Sequence, residues 1–235
     1  MITFYQLPGA WGLSSVSPFC IKVEAYLRMA EVPFEEAFGD PRKGPRKKVP
    51  WIVDQGTSIA DSREIIDHLK RTHGDPLDAR LDATERHRGH ALGRMLEEAT
   101  YFAMVHVRWA NDTCWDEYKQ VFQPFLPPII GAPILASIRR GMLATLRSQG
   151  AGRYAPDELY AIAAADFAAV SDQLGDTPFL FGDAPTSYDA TAYAFVTSLL
   201  GFPIDNGLRA RVAKMENLVA YRARIEKKYF ASSSK

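Results

Sequence analysis

The sequence predicts two structural units in series: an α/β unit with a mixed four-stranded sheet over residues 1–75, and an all-α helical bundle over 81–235, joined by a linker at 76–80. Three observations carry that expectation. Every short β-branched or aromatic run falls before Asp75-Pro76, every later apolar pattern has helical spacing, and 235 residues suffice for one large domain or two small ones. Hydrophobic residues make up 47% and charged residues 24%, the proportions of a chain that folds around a core.

Residues 2–7 (ITFYQL) read as a strand, and a Gly/Ser-rich loop occupies 9–17. Ser17 and Pro18 then open a helix through Met29, with Ser17 at the N-cap and proline at the first helical position. Phe34–Phe38 reads as a second strand, followed by a loop at 39–48 punctuated by Gly39, Pro41, Gly44 and Pro45. Trp51–Asp54 and Thr57–Ala60 flank Gln55-Gly56, which predicts a β-hairpin with a two-residue turn. Asp61-Ser62 begins a helix through Ile65, Ile66 and Leu69. That order implies a parallel strand pair joined by a crossover helix, with an antiparallel hairpin at the sheet edge.

Beyond the linker, residues 81–111, 138–149, 157–174, 189–200 and 217–229 read as helices. Thr186 and Asp189 have capping-box spacing, with Asp in place of Glu or Gln. A Ser-Ser-Ser-Lys tail at 232–235 is expected to be disordered.

Charge is balanced, 28 Lys and Arg against 28 Asp and Glu, with ten of each sign in residues 1–77. Neither unit therefore carries the net charge that draws a protein to nucleic acid. Cys20 and Cys114 are too few for a disulfide framework and suit a reducing compartment. Residues 1–12 lack the pattern of a signal peptide, and the uncharged run 120–138 contains Pro124, Pro127, Pro128 and Pro133, which rules it out as a regular membrane-spanning helix. A cytoplasmic protein without an integral membrane segment is expected.

Four local features carry chemistry. Ser17-Pro18-Phe19-Cys20 puts a hydroxyl at a helix N-terminus, where free N–H groups and the helix dipole favour an anion and lower the pKa of a thiol brought there; it also reads simply as an N-cap. Lys48-Val49-Pro50-Trp51 places a proline at the entry to a hairpin strand. It reads either as a cis peptide that presents the Val49 backbone to a peptide ligand or as an ordinary edge-strand proline. Asp61-Ser62 offers an acid and a hydroxyl suited to the ammonium and carboxylate of an amino-acid end group, and equally forms a plain helix start. Arg42, Lys43, Arg46, Lys47 and Lys48 form a basic loop, either a solvated face or an attractor for an anionic peptide.

In this order and spacing the features resemble the glutathione transferase family, end to end. Ser17-Pro18-Phe19 is similar to the catalytic loop of its serine-type and cysteine-type members, Lys48-Val49-Pro50 to its Val-Pro element, and Asp61-Ser62 to its γ-glutamyl-binding pair. Residues 179–183 (FLFGD) followed by Thr186 to Asp189 resemble its second-domain folding motif. Residues 17–29, 60–69, 96–109 and 217–225 resemble its "failed axon connections"/metaxin-like branch.

The resemblance implies a thioredoxin-like domain followed by a helical domain, with glutathione across the first and a hydrophobic second substrate in the cleft between them. It implies Ser17 as the hydroxyl that hydrogen-bonds the glutathione sulfur, Val49 as backbone anchor, Pro50 as a cis-proline, Asp61 and Ser62 as the γ-glutamyl site, and Lys48 near the glycine carboxylate. The expected activity is a detoxifying transfer of glutathione, as co-substrate, to a hydrophobic electrophile, in a homodimer. The alternatives are a non-catalytic adaptor of the metaxin-like type and a glutathione-dependent reductase or isomerase. Redox-active relatives have Cys where Ser17 stands, and a hydroxyl forms no mixed disulfide. Cys20, in the first turn of its helix, is expected to be buried and inert. No metal is expected: His87 and His90 share a helix face without further ligands. Tyr101, Phe102, Arg108, Trp109 and Trp115 are expected mainly in the core, with one or two facing the cleft.

Overall fold

A computed structural model describes residues 1–231; the tail at 232–235 lies outside the described residues. The first unit consists of β1 (Ile2–Gln6), α1 (Pro18–Met29), β2 (Phe34–Phe38), β3 (Trp51–Asp54), β4 (Thr57–Ala60) and α2 (Ser62–His73). The sheet order is β2-β1-β3-β4, with β1 and β2 parallel and the other pairs antiparallel. Along β1, Ile2, Phe4 and Gln6 alternate inward and are buried, as period-two geometry requires. Gln55 (φ 49°) and Gly56 (φ 80°) both have positive φ, the condition of the type I′ turn whose twist matches the flanking strands.

The second unit consists of α3 (Ala83–Met95), a π-helical segment (Leu96–Thr100), α4 (Tyr101–Ala110), α5 (Asp112–Tyr118), α6 (Gly131–Gln149), α7 (Pro156–Leu174), α8 (Ser187–Leu200), α9 (Gly207–Val212) and α10 (Glu216–Ile225), with a π turn at Glu226–Phe230. Three points differ from the sequence expectation. The helix expected over 81–111 contains the π segment. Helix α6 starts at Gly131 rather than 138, because Pro133 lies in its first turn, where a missing N–H is harmless. Helices α5 and α9, of 7 and 6 residues, are too short to show a period. No helix among the described residues is long and apolar enough to cross a membrane.

Helix α8 is buried on nearly every side, and Ala190, Ala192 and Ala194 let neighbouring helices approach it. Its start is fixed by Asp189, which accepts from Leu180 N–H (2.9 Å), Thr186 N–H (2.8 Å) and Tyr221 Oη (3.0 Å). The expected capping box with Thr186 is formed. Helix α1 packs on α8, which brings the loop before Ser17 against the helical unit. There the buried Arg108 donates to Val16 C=O at 2.8 Å and to Ser198 C=O at 2.7 Å, fixing the residue that precedes Ser17.

Candidate functional site

Strand pairing collects the sequence-predicted residues at one end of the sheet. Tyr5 pairs with Trp51 and Trp51 with Ala60, so Pro50 and Asp61 lie side by side at the end of β1, from which the loop leads to Ser17. Ser17 caps α1: its Oγ accepts from Cys20 N–H at 3.4 Å. Pro18 has no N–H, and the Cys20 and Ile21 N–H groups both reach Ser17 C=O at 3.1 Å. Phe19 N–H is then the first-turn donor without a protein acceptor among the described residues, next to the Ser17 hydroxyl. A hydroxyl proton, a free N–H and the positive end of a helix dipole together form a receptor for an anion such as a thiolate.

Cys20, one turn on, is fully buried, and burial pushes its thiol up to about 11 despite hydrogen bonds from Leu7, Ser17 and Ser15. It stays a thiol at neutral pH.

The Val49–Pro50 peptide is cis. Val49 is half-buried, and neither its N–H nor its C=O makes a backbone hydrogen bond among the described residues. Lys48 is exposed beside it. Across the gap, Asp61 holds φ at +82°, a conformation costing a non-glycine residue on the order of 1–3 kcal/mol and typical of positions shaped for binding. Its carboxylate caps α2 through Arg63 N–H at 3.0 Å, and Arg46 of the basic loop lies 4.0 Å from it. Ser62 is buried at the first position of α2.

The sequence reading missed a charge cluster behind this pair, buried at Lys22 and Glu97 and open at Arg63. Glu97, in the π-helical segment, pairs with Lys22 of α1 and, at 3.4 Å, with Arg63 of α2. Burial lowers the Lys22 ammonium below its ordinary range, and Glu97 opposes that effect. The cluster joins three elements at the residue after Ser62. A lysine amid the apolar run of α1 was the available signal; its partners are remote in sequence.

On the other flank, Phe19 meets Tyr101 edge-on at 4.9 Å and Phe195 at 5.8 Å, giving an apolar wall next to Ser17. Burial pushes Tyr101 up to about 12, so its hydroxyl is neutral. Arg108, Trp109 and Trp115 are buried and Tyr101 and Phe102 half-buried, as expected. The proline-rich connection crosses between the units, where Phe125 stacks on Phe38 at 4.8 Å. His87 and His90 are exposed on α3.

The family model of the glutathione S-transferase N-terminal domain matches residues 18–114, and that of the C-terminal domain matches 163–225. The chain is 34% identical over 242 residues to the isoprene-epoxide–glutathione S-transferase of Rhodococcus sp. (strain AD45), covering 97% of this chain and 99% of that protein. It is 28% identical over 246 residues to Failed axon connections of Drosophila melanogaster, covering 98% of this chain and 58% of that longer protein. Among solved structures, the beta-etherase LigF from Sphingobium sp. strain SYK-6 has the same fold, with a TM-score of 0.69 at 19% identity over 98% of this chain and 99% of that one.

Proposed function

The chain belongs to the glutathione S-transferase family, and on that footing we propose that it binds glutathione and activates its thiol for attack on a hydrophobic electrophile. The observation that carries the reading is the Ser17 terminus of α1, where a hydroxyl lies beside a Phe19 N–H that has no acceptor among the described residues. Glutathione lies with its γ-glutamyl end at Asp61 and Ser62, its peptide backbone paired with Val49 beside Pro50, and its glycine carboxylate toward Lys48. The acceptor and donor inventory supports this: Asp61 accepts from an ammonium, while the Ser62 hydroxyl and the α2 N-terminus donate to a carboxylate. Ser17 donates to the sulfur and stabilises thiolate, and the sulfur attacks an electrophile held against Phe19 and Tyr101. The protein supplies thiol activation and positioning, with no covalent enzyme intermediate.

The reductase or isomerase alternative shares the glutathione site and differs only in the second substrate, so assays on disulfides, haloalkanes and cis–trans isomers separate it from the transferase reading. Calorimetric titration with glutathione, on wild type and Ser62→Ala, tests the binding step. Micromolar-to-millimolar affinity, weakened roughly tenfold by loss of a hydrogen bond to a charged group, is expected. No binding at several millimolar would replace this reading with the adaptor one.

A further inference from the structure

Irregular backbone over residues 7–16 separates β1 from Ser17, and its far end is fixed from the helical unit. Arg108 of α4 donates Nη1 to Val16 C=O at 2.8 Å and Nη2 to Ser198 C=O of α8 at 2.7 Å. One guanidinium thus ties the residue before Ser17 to two helices. The rings of Tyr118 and Phe202 lie 5.4 and 5.8 Å from its carbon. Trp11, in the same loop, packs edge-on against Phe202 at 5.0 Å and donates Nε1 to Glu117 at 2.7 Å.

Lys22 and Arg108 are both buried cations, in different company. Lys22 has Glu97 for a partner, whereas Arg108 has two carbonyl oxygens and no carboxylate among the described residues. A guanidinium stays charged, and a buried charge without a counter-ion is costly. The titratable groups around the loop do not supply the anion. Burial pushes Cys20 of α1 up to about 11 and Tyr101 of α4 up to about 12, and it raises Tyr118 of α5, so all three are neutral at pH 7. Glu117 of α5 gives its Oε1 to the Trp11 indole, and α8 presents only the Ser198 carbonyl. The field of Arg108 nevertheless reaches the Ser17 site: it favours the ionised form of Tyr101, which meets Phe19 at 4.9 Å.

A loop anchor needs donors, which a neutral amide also has; the unpaired charge is surplus to that task. An anion held at Ser17 is the counter-charge this region lacks. Resting on the transferase reading, we propose that Arg108 is a positioning residue for catalysis: through the Val16 carbonyl it sets Ser17, and its charge keeps the glutathione sulfur ionised.

The test follows the ultraviolet thiolate absorbance of bound glutathione as pH is raised, beside calorimetry and thermal melts. In wild type the bound thiol should ionise below its free value near pH ~8.5. Arg108→Met should raise that apparent pKa by about one unit, and turnover at neutral pH should fall about tenfold while glutathione affinity changes less than about threefold. Arg108→Lys, which keeps the charge, should lie nearer wild type. If Arg108→Met does not fold, the wild type decides by nuclear magnetic resonance. The Arg108 Nε–H signal should move on binding glutathione at a pH where its thiol is ionised, and much less with S-methylglutathione, whose sulfur cannot ionise. Wild type that binds no glutathione, or binds it with an unshifted thiol, would overturn the transferase reading and this proposal together. A lowered thiol that is unchanged in folded Arg108→Met, Arg108→Lys as impaired as Arg108→Met, or an Nε–H signal that answers both ligands equally would overturn this proposal alone.

Discussion

At Ser17 the capping bond and the proposed thiolate bond use different parts of one hydroxyl. A lone pair accepts from Cys20 N–H, and the proton, which lies by the neutral Cys20 thiol, is the one that would turn to an incoming thiolate. Two substitutions separate the roles. Ser17→Ala removes both, lowering stability by about 0.5–2 kcal/mol and transferase kcat/KM by roughly ten- to a hundredfold. Ser17→Gly keeps an acceptable N-cap at a cost of only a few tenths of a kcal/mol but loses the same activity. Thermal melts beside initial rates check both. Glycine-variant turnover equal to wild type would remove the role given to the hydroxyl.

Among the elements, α2 carries Asp61 and Ser62 at its start, and its far half is held to β3 by one buried carboxylate. Asp54 Oδ2 lies 2.9 Å from His68 Nε2 and 3.0 Å from His73 Nε2, so two imidazoles donate to a single oxygen. Burial alone raises the Asp54 carboxyl, but the two histidine hydrogen bonds outweigh it and hold the group below the usual carboxylate range. The folded state therefore binds this proton less tightly than the unfolded chain. The resulting stabilisation is complete above the unfolded value near pH ~4 and is lost as pH falls through the lower folded value. Asp54→Asn should cost about 1–3 kcal/mol at neutral pH. In denaturant titrations the gap between variant and wild type should narrow below about pH 4. A gap that stays constant on acidification would assign the loss to packing.

For the whole molecule, the two units meet at charges that water cannot reach. Lys22 and Glu97 are both buried, and each belongs to a different unit. Removing Lys22 leaves Glu97 only its longer pairing with the part-exposed Arg63 at 3.4 Å, so Lys22→Met alone should destabilise by about 2–3 kcal/mol. Lys22→Met combined with Glu97→Leu should recover most of that loss, since an apolar pair of similar volume is often neutral there. Glutathione affinity gives a second readout: Arg63 loses its Glu97 partner only in the double variant, and Ser62 is its neighbour in α2. Binding weaker in the double variant than in wild type, at recovered stability, would make Glu97 a positioning residue for the γ-glutamyl site.

Amino-acid order alone was enough for the strands, the hairpin turn, the first helices and the capping box, because propensity, turn chemistry and capping act within a few residues. The N-cap at Ser17, the cis Val49–Pro50 peptide and the helix start at Asp61-Ser62 were legible for the same reason: each is a local motif. The body of α6 was legible over 138–149 while its first part, 131–137, was hidden by Pro133, and α5 and α9 are too short to show a period. Only the tertiary structure brought Lys22, Arg63 and Glu97 together, across sequence separations of 75 and 34 residues. Long-range pairing of buried charge depends on which surfaces pack, and packing is a property of the whole chain.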